Sequence, residues 1–264
     1  QESRGLGDVY KRQVVCADLA DVPRLAQEMP WFEPNLDVRP LPDWETLPYD
    51  VLSPQEELVS ERLEALYRLT APTGGADVLL TSAVTASQRL SPVSYIGANT
   101  FFFHQGEQIS LTTLQKRLAA AGYANVKQVL AAGEFAVRGS IVDVFPMGSE
   151  RPFRLDFFDD EIESIRWFDV DTQRSMESAE EIRLLPGHEF PVDPEALLAF
   201  RQRWRREFAG DPKKSIVYCD IEKEILPPGI EYYLPLFFDE TAALTDYLPP
   251  VSYTHLTLPT ILLV

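Results

Sequence analysis

Apolar and polar residues alternate most strictly in RPFRLDFFDD, residues 151 to 160. A strand there puts Phe153, Leu155 and Phe157 on one face and Arg154, Asp156 and Phe158 on the other, because successive side chains of a strand point to opposite sides. The first set is a core face. The second joins two charges to a large aromatic, a composition that suits a protein contact better than bare solvent. Glu134 to Phe145 alternates as well, with Phe135, Val137 and Ile141 on one side and Arg138 on the other. Residues 133 to 169 therefore read as a three-strand meander closed by Ile182 to Leu185, with Arg138 able to share the outward face of Arg154. The plainer reading is a solvated sheet face with one stray Phe.

Around this meander the pattern divides the chain into three pieces. Over about 14 to 96 it is α/β. Asp21 and Pro23 open a helix over Arg24 to Met29, and Val38 to Leu41 is a short strand. Ser53, Pro54 and Glu56 have the cap, first-turn proline and capping-box acid of a helix start. That helix runs to Leu69 with Leu58, Leu63, Leu66 and Leu69 inward, and Pro72, Gly74 and Gly75 stop it. Ala76 to Thr81 reads as a buried strand, so strand and helix alternate as in a parallel sheet. Over about 97 to 187 the pattern is α+β: a strand at Asn99 to Gln105, then a Ser110-capped helix over Leu111 to Ala121 stopped by Gly122. Pro186 and Gly187 mark a linker or turn. In the third piece, 188 to 250, Asp193 and Pro194 cap a helix carrying Leu197, Phe200 or Arg201, Trp204 and Phe208. A Gly210-Asp211-Pro212 break and a strand at Ile216 to Cys219 follow.

At 264 residues and 45% hydrophobic the chain can bury a core and hold two compact units. Its formal net charge of −17 weighs against nucleic-acid binding, which needs basic surface. Cys16 and Cys219 lie far apart, and His104, His188 and His255 are scattered, so no metal-ligand spacing exists. Low cysteine usage and no secretory signal point to the cytoplasm, and no apolar run reaches 18 residues. No G-x-x-x-x-G-K-[ST] occurs, and Gly74-Gly75 precedes a strand with no Lys behind it, so no cofactor is expected. Asp159, Asp160, Glu161 and Glu163 read as a polar turn rather than a metal site. Asp43, Glu45 and Asp50 lack a nearby His or nucleophile, so Trp44 and Tyr49 read as residues pinning a loop. Arg201, Arg203, Arg205 and Arg206 read as a solvated helix face or a contact within the chain before they read as DNA contacts. Gly133, Gly139 and Gly148 read as strand-end, close-approach and turn glycines.

GEFAVRGSIVDVFPMGSERPFRLDFFDDEIESIRWFDVDTQRS, at 133 to 175, resembles the second domain of bacterial transcription-repair coupling factors, in their N-terminal UvrB-homology module. Two further blocks match: LPDWETLPYDVLSPQEELVSERLEALYRL (41 to 69), and LLPGHEFPVDPEALLAFRQRWRREF with LPPGIEYYLPLFF (184 to 208 and 226 to 238). The resemblance covers roughly residues 14 to 250. It implies an α/β fold: a layered, P-loop-like remnant domain with a parallel sheet, formed by 14–96 (domain 1a) and 188–250 (domain 1b). An α+β domain with an antiparallel meander, 97–187, would be inserted into it. The implied job is recruitment of UvrA of nucleotide excision repair to stalled RNA polymerase, with Arg138, Arg154, Asp156 and Phe158 as the docking residues. The fragment would be a monomer and no enzyme. RNA polymerase, double-stranded DNA, ATP and Mg would concern only the longer family protein, and the docking surface can be hidden there against the motor domain. A fragment of UvrB, an ATP-dependent damage-loading protein, is the alternative, but DWETLPYDVLSP stands where UvrB has a longer Tyr-rich segment. An unrelated α/β enzyme would require a pocket of convergent carboxylates. QESRGLGDVYKRQ and VSYTHLTLPT match nothing in the family there, so 1–13 and 251–264 read as foreign ends of a fragment truncated at both sides.

Overall fold

The computed structural model describes residues 12–70 and 77–248. The proposed helix stop at Pro72, Gly74 and Gly75 and the end at 251–264 lie outside those residues. Three parallel strands begin the fold: β1 (Arg12–Cys16), β2 (Val38–Pro40) and β3 (Val78–Ser82), ordered β1-β3-β2. β1 starts two residues before the expected boundary at Val14. β3 is buried at every position, as a central parallel strand must be. Helix α1 (Asp21–Phe32) lays Val22 against Cys16, Val78 and Leu80. Helix α2 (Glu56–Thr70) inserts Leu63, Leu66 and Leu69 into the largest core cluster, while Leu58 is half-buried. Ser53 does not cap α2. Its hydroxyl instead accepts from Gly229 N at 3.0 Å and donates to Glu231 at 3.1 Å, tying the approach to α2 onto a distant turn.

Short helices α3 (Ala83–Ala86) and α4 (Val93–Ala98) lead to β4 (Phe101–His104) and α5 (Leu111–Ala120). Ser110 caps α5, and Gly122 just beyond it has φ 89°, as its sequence signals require. The meander is larger than the pattern predicts. It is a six-stranded sheet, β10-β9-β8-β7-β6-β5, built from β5 (Ala124–Asn125), β6 (Glu134–Arg138), β7 (Ile141–Val144), β8 (Phe153–Phe158), β9 (Glu161–Phe168) and β10 (Ser175–Ala179). The single strand expected over Glu134 to Phe145 is a tight hairpin, with Gly139 at φ 64° in its turn. A Cβ on Gly139 would meet nothing within 4 Å, so this is a turn glycine. Gly148 is a turn glycine as expected, with φ 74°, and it is also the close approach, since its Cβ would lie 2.7 Å from Glu64 Oε2. The strand at Ile182 does not close the meander. β11 (Glu181–Leu184) pairs antiparallel with β4 in a separate two-stranded sheet.

The remainder packs as a second hydrophobic cluster. Helix α6 (Pro194–Glu207) starts on Asp193, whose carboxylate accepts from Glu195 N and Ala196 N, and it buries Leu197, Phe200 and Trp204. Residues Ile216–Glu222 form helix α7 rather than a strand. Ser215 caps it, and Tyr218 and Ile221, three apart, face the α6 cluster. Pro186-Gly187 is a bend rather than a linker, since both residues and Glu189 beyond them are buried. The architecture of the described residues is thus mixed α/β, with one parallel and two chiefly antiparallel sheets.

Candidate functional site

In β8 the alternation is realised: Phe153, Leu155 and Phe157 are buried, Arg154 and Asp156 are partly covered, and Phe158 is 74% exposed. A β-bulge accommodates one extra β9 residue opposite the end of β8, where Asp156 faces Ser164 and Phe157 faces Ile162. It leaves Phe158 opposite Glu161 beside a hairpin turn where Asp159 has φ 56°.

The outward face is organised around a residue that alternation within one long strand assigned no role. The two-residue turn at Gly139-Ser140 resets the parity, so Ile141 lies opposite Asp156 and Asp143 lies opposite Arg154, both on the outward face. Asp143 is fully buried there and serves two arginines. Arg154 Nε donates to its Oδ1 at 2.6 Å and Nη2 to its Oδ2 at 3.0 Å, while Arg138 Nη2 also donates to Oδ2. The remaining Arg154 nitrogen donates to Gln173 O and to Ser175 Oγ. Its side chain is only 13% exposed and stacks over Phe168 at 5.0 Å. Arg138 keeps 48% of its side chain exposed. Asp156 accepts from Ser164 Oγ at 3.0 Å. Arg166, opposite Arg154 on β9, is exposed and adds a cation that the sequence reading did not select.

The structure therefore brings Arg138, Arg154 and Asp156 onto one sheet face, with Phe158 at its edge, but gives them different work. Arg154 is consumed internally and fixes the spacing of the strands under the face. Arg138, Phe158 and the exposed Arg166 are the groups available to an incoming surface.

The other sequence candidates resolve into structure. Asp43 accepts from Thr85 Oγ1, Gln88 Nε2 and Glu45 N, which answers its charge locally. Trp44 is buried and donates to Glu189, while Tyr49 is 66% exposed and packs edge-on to Tyr233. Arg203 binds Leu236 O and Asp239, Arg206 binds Glu207, and Arg205 covers Tyr218, so these three arginines contact their own chain. An open cleft of about 900 Å³ between α2 and the large sheet is lined by Glu57, Glu61, Glu64, Arg68, Arg151 and Arg183 among others. Glu64 there is paired to both Arg68 and Arg183, and burial raises the Glu61 pKa. No group of three or more His, Cys, Asp or Glu able to hold a metal occurs among the described residues. Nor is any described helix long and apolar enough to cross a membrane.

A buried ion pair also escaped the sequence pattern. Arg62, fully buried on α2, donates to Glu189 Oε1 at 2.6 Å and to Pro42 O at 2.7 Å, and it stacks on Trp44 at 4.8 Å. It locks α2 to the segment that follows β11.

The family model described as the UvrB interaction domain matches residues 101–190, which span β4 through β11 and thus the whole face described above. The chain is 45% identical over 227 residues, 86% of its length, to the transcription-repair-coupling factor of Escherichia coli, covering 20% of that protein. It is 46% identical over 239 residues to that of Haemophilus influenzae, 89% of this chain and 20% of the relative. It is 32% identical over 209 residues to that of Bacillus subtilis, 73% of this chain and 17% of the relative. The chain therefore spans about a fifth of the length of the curated relatives it matches. Residues 101–190 thus match the UvrB interaction domain family, within a chain that is similar over most of its length to transcription-repair-coupling factors.

Proposed function

We propose that this chain is a non-catalytic recruitment module of transcription-coupled repair, whose six-stranded sheet docks UvrA. The observation that carries the reading is Phe158, a large aromatic 74% exposed at the edge of a face that presents Arg138, Asp156 and Arg166. An aromatic anchor ringed by charges fits a partner with an apolar pocket and acidic groups around it. Arg154 supports the face from beneath, and Asp143 holds both arginines. Residues up to 96 and from 188 onward form, in this reading, one layered P-loop-like remnant domain that holds the sheet-bearing domain as an insertion. RNA polymerase and DNA would be engaged by other parts of a full coupling factor, along with ATP-driven movement. The identity to coupling factors, 45 and 46% over most of the chain, favours this reading over a fragment of UvrB.

The test is calorimetric titration of UvrA with the chain and with Phe158→Ala. Loss of an interface anchor costs on the order of 2 kcal/mol or more, about thirtyfold in affinity. Phe158→Ala should not lower Tm, because little of its surface is buried. Undiminished UvrA binding by that variant, or none by the folded wild type, would remove the assignment.

A further inference from the structure

The loop between β2 and α2 holds four large apolar side chains in solvent within six residues: Leu47 is 71% exposed, Tyr49 66%, Val51 76% and Leu52 59%. Ile225, 52% exposed, comes from the segment packed against that loop. Gly229 sits so close that a Cβ would lie 2.1 Å from Asp50 O, and its N–H is held by Ser53. None of these residues belongs to the six-stranded sheet.

Two properties separate this surface from scattered exposed hydrophobics. It is pre-ordered. Trp44 is buried at its base with Tyr232 edge-on at 4.9 Å, Tyr49 packs on Tyr233 at 5.3 Å, and Tyr232 donates to Thr46 O. Glu45 and Tyr49 hold left-handed φ values of 55° and 62°, conformations that persist only where surroundings enforce them. An apolar surface fixed before contact loses little conformational freedom on binding. The loop also carries acid of its own, with Glu45 exposed and Asp50 half-buried, and Glu222 and Glu224, with Lys223 between them, are exposed in the stretch that leads to Gly229.

We propose that this loop is a second docking surface, for a basic amphipathic segment of a partner protein. The segment's apolar stripe would cover Leu47, Val51, Leu52 and Ile225, while its Lys or Arg side chains meet these carboxylates. A second copy of the chain is a poor occupant, since it brings the same carboxylates and a net charge of −17.

The experiment uses the full chain, nitrogen-15 labelled, titrated with two synthetic 16-residue helical peptides. One carries a Leu/Trp stripe flanked by Lys and Arg. The other keeps the charges and replaces the stripe with Gln and Ser. The first peptide should shift the amides of 45–53 and 222–229, and Leu47→Ser/Val51→Ser should weaken it about tenfold. Glu222→Gln/Glu224→Gln should weaken it severalfold and flatten its salt dependence. Equal binding of both peptides, unchanged affinity in the Ser variant, shifts confined elsewhere, or dimerisation through the loop in sedimentation would each overturn the proposal. UvrA binding is read separately through Phe158, so either proposal can fail alone.

Discussion

Asp143→Asn tests whether the outward face is held together from below. The substitution keeps the shape of the side chain and removes its charge. It also replaces one acceptor oxygen with an NH2 donor, which cannot accept from either guanidinium. In the native protein the carboxylate is fully buried and takes three hydrogen bonds, two from Arg154 and one from Arg138. Removing one partner of a buried ion pair costs about 3–5 kcal/mol, because the other charge is left without compensation. Two features reduce that figure here. Arg154 retains Gln173 O and Ser175 Oγ, and the Arg138 side chain is 48% exposed and can turn to water. About 2–4 kcal/mol is the expected loss, measured by urea unfolding followed by circular dichroism. For a chain of this size that corresponds to a Tm lower by roughly 5–15 °C. In a double-mutant cycle, Asp143→Asn and Arg154→Met should couple by at least about 1.5 kcal/mol, while Arg138→Ala should cost under about 1 kcal/mol alone. A loss below about 1 kcal/mol in Asp143→Asn, or no coupling to Arg154, would refute the argument that this carboxylate supports the face.

His188 is partly buried and packs on Gly122 and Phe190, and desolvation there lowers its pKa from 6.5 to about 4. Its folded pKa lies below the unfolded one, so its stabilisation is complete above pH 6.5 and is lost as pH falls toward 4, by roughly 3 kcal/mol in all. Burial raises the pKa of Glu231, which acts in the opposite direction, so the signal is the difference between wild type and His188→Gln across pH 5 to 7. A parallel pair of stability curves would exclude it. Gly229→Ala drives a Cβ into Asp50 O at φ 80° and should cost more than about 3 kcal/mol, whereas Gly139→Ala, with open space around it, should cost only about 1–2 kcal/mol for its left-handed φ. Comparable losses at the two sites by thermal unfolding would contradict this contrast. Arg62→Ala leaves the 3%-exposed Glu189 with Trp44 Nε1 as its remaining partner and should cost about 3–5 kcal/mol in denaturant titration.

Local signals were legible wherever one period or one cap decided the outcome. Strand β8, the capped starts of α5 and α6, and the parallel arrangement around β3 follow directly from alternation, Ser110, Asp193 and strand–helix alternation. The hairpin at 134–144 was missed although Gly139-Ser140, with Gly at the first central position, is a two-residue turn signature; alternation was followed straight through it, so two strands read as one. That single error moved Ile141 to the wrong face and concealed Asp143. Helix α7 was misread because a short apolar run fits a strand or a buried helix equally well. Arg62 looked like an ordinary polar residue of an amphipathic helix, and its partner lies 127 positions away. β11 was given to the meander because it follows in sequence, although its hydrogen bonds go to β4.

The division between support and contact decides how docking experiments on this face can be interpreted. Arg154→Ala removes the main partner of a buried carboxylate, so reduced UvrA binding in that variant could follow from a displaced β7–β8 pair as readily as from a missing contact. Phe158→Ala and Arg166→Ala remove exposed groups and leave the Asp143 cluster intact. If those two variants lose affinity at unchanged Tm while Arg154→Ala loses both, the face binds through its rim and is positioned through its buried centre. If Arg154→Ala loses affinity at unchanged Tm, its guanidinium must leave Asp143 on docking, and Asp143 would then be a stand-in for a partner carboxylate rather than a fixed support.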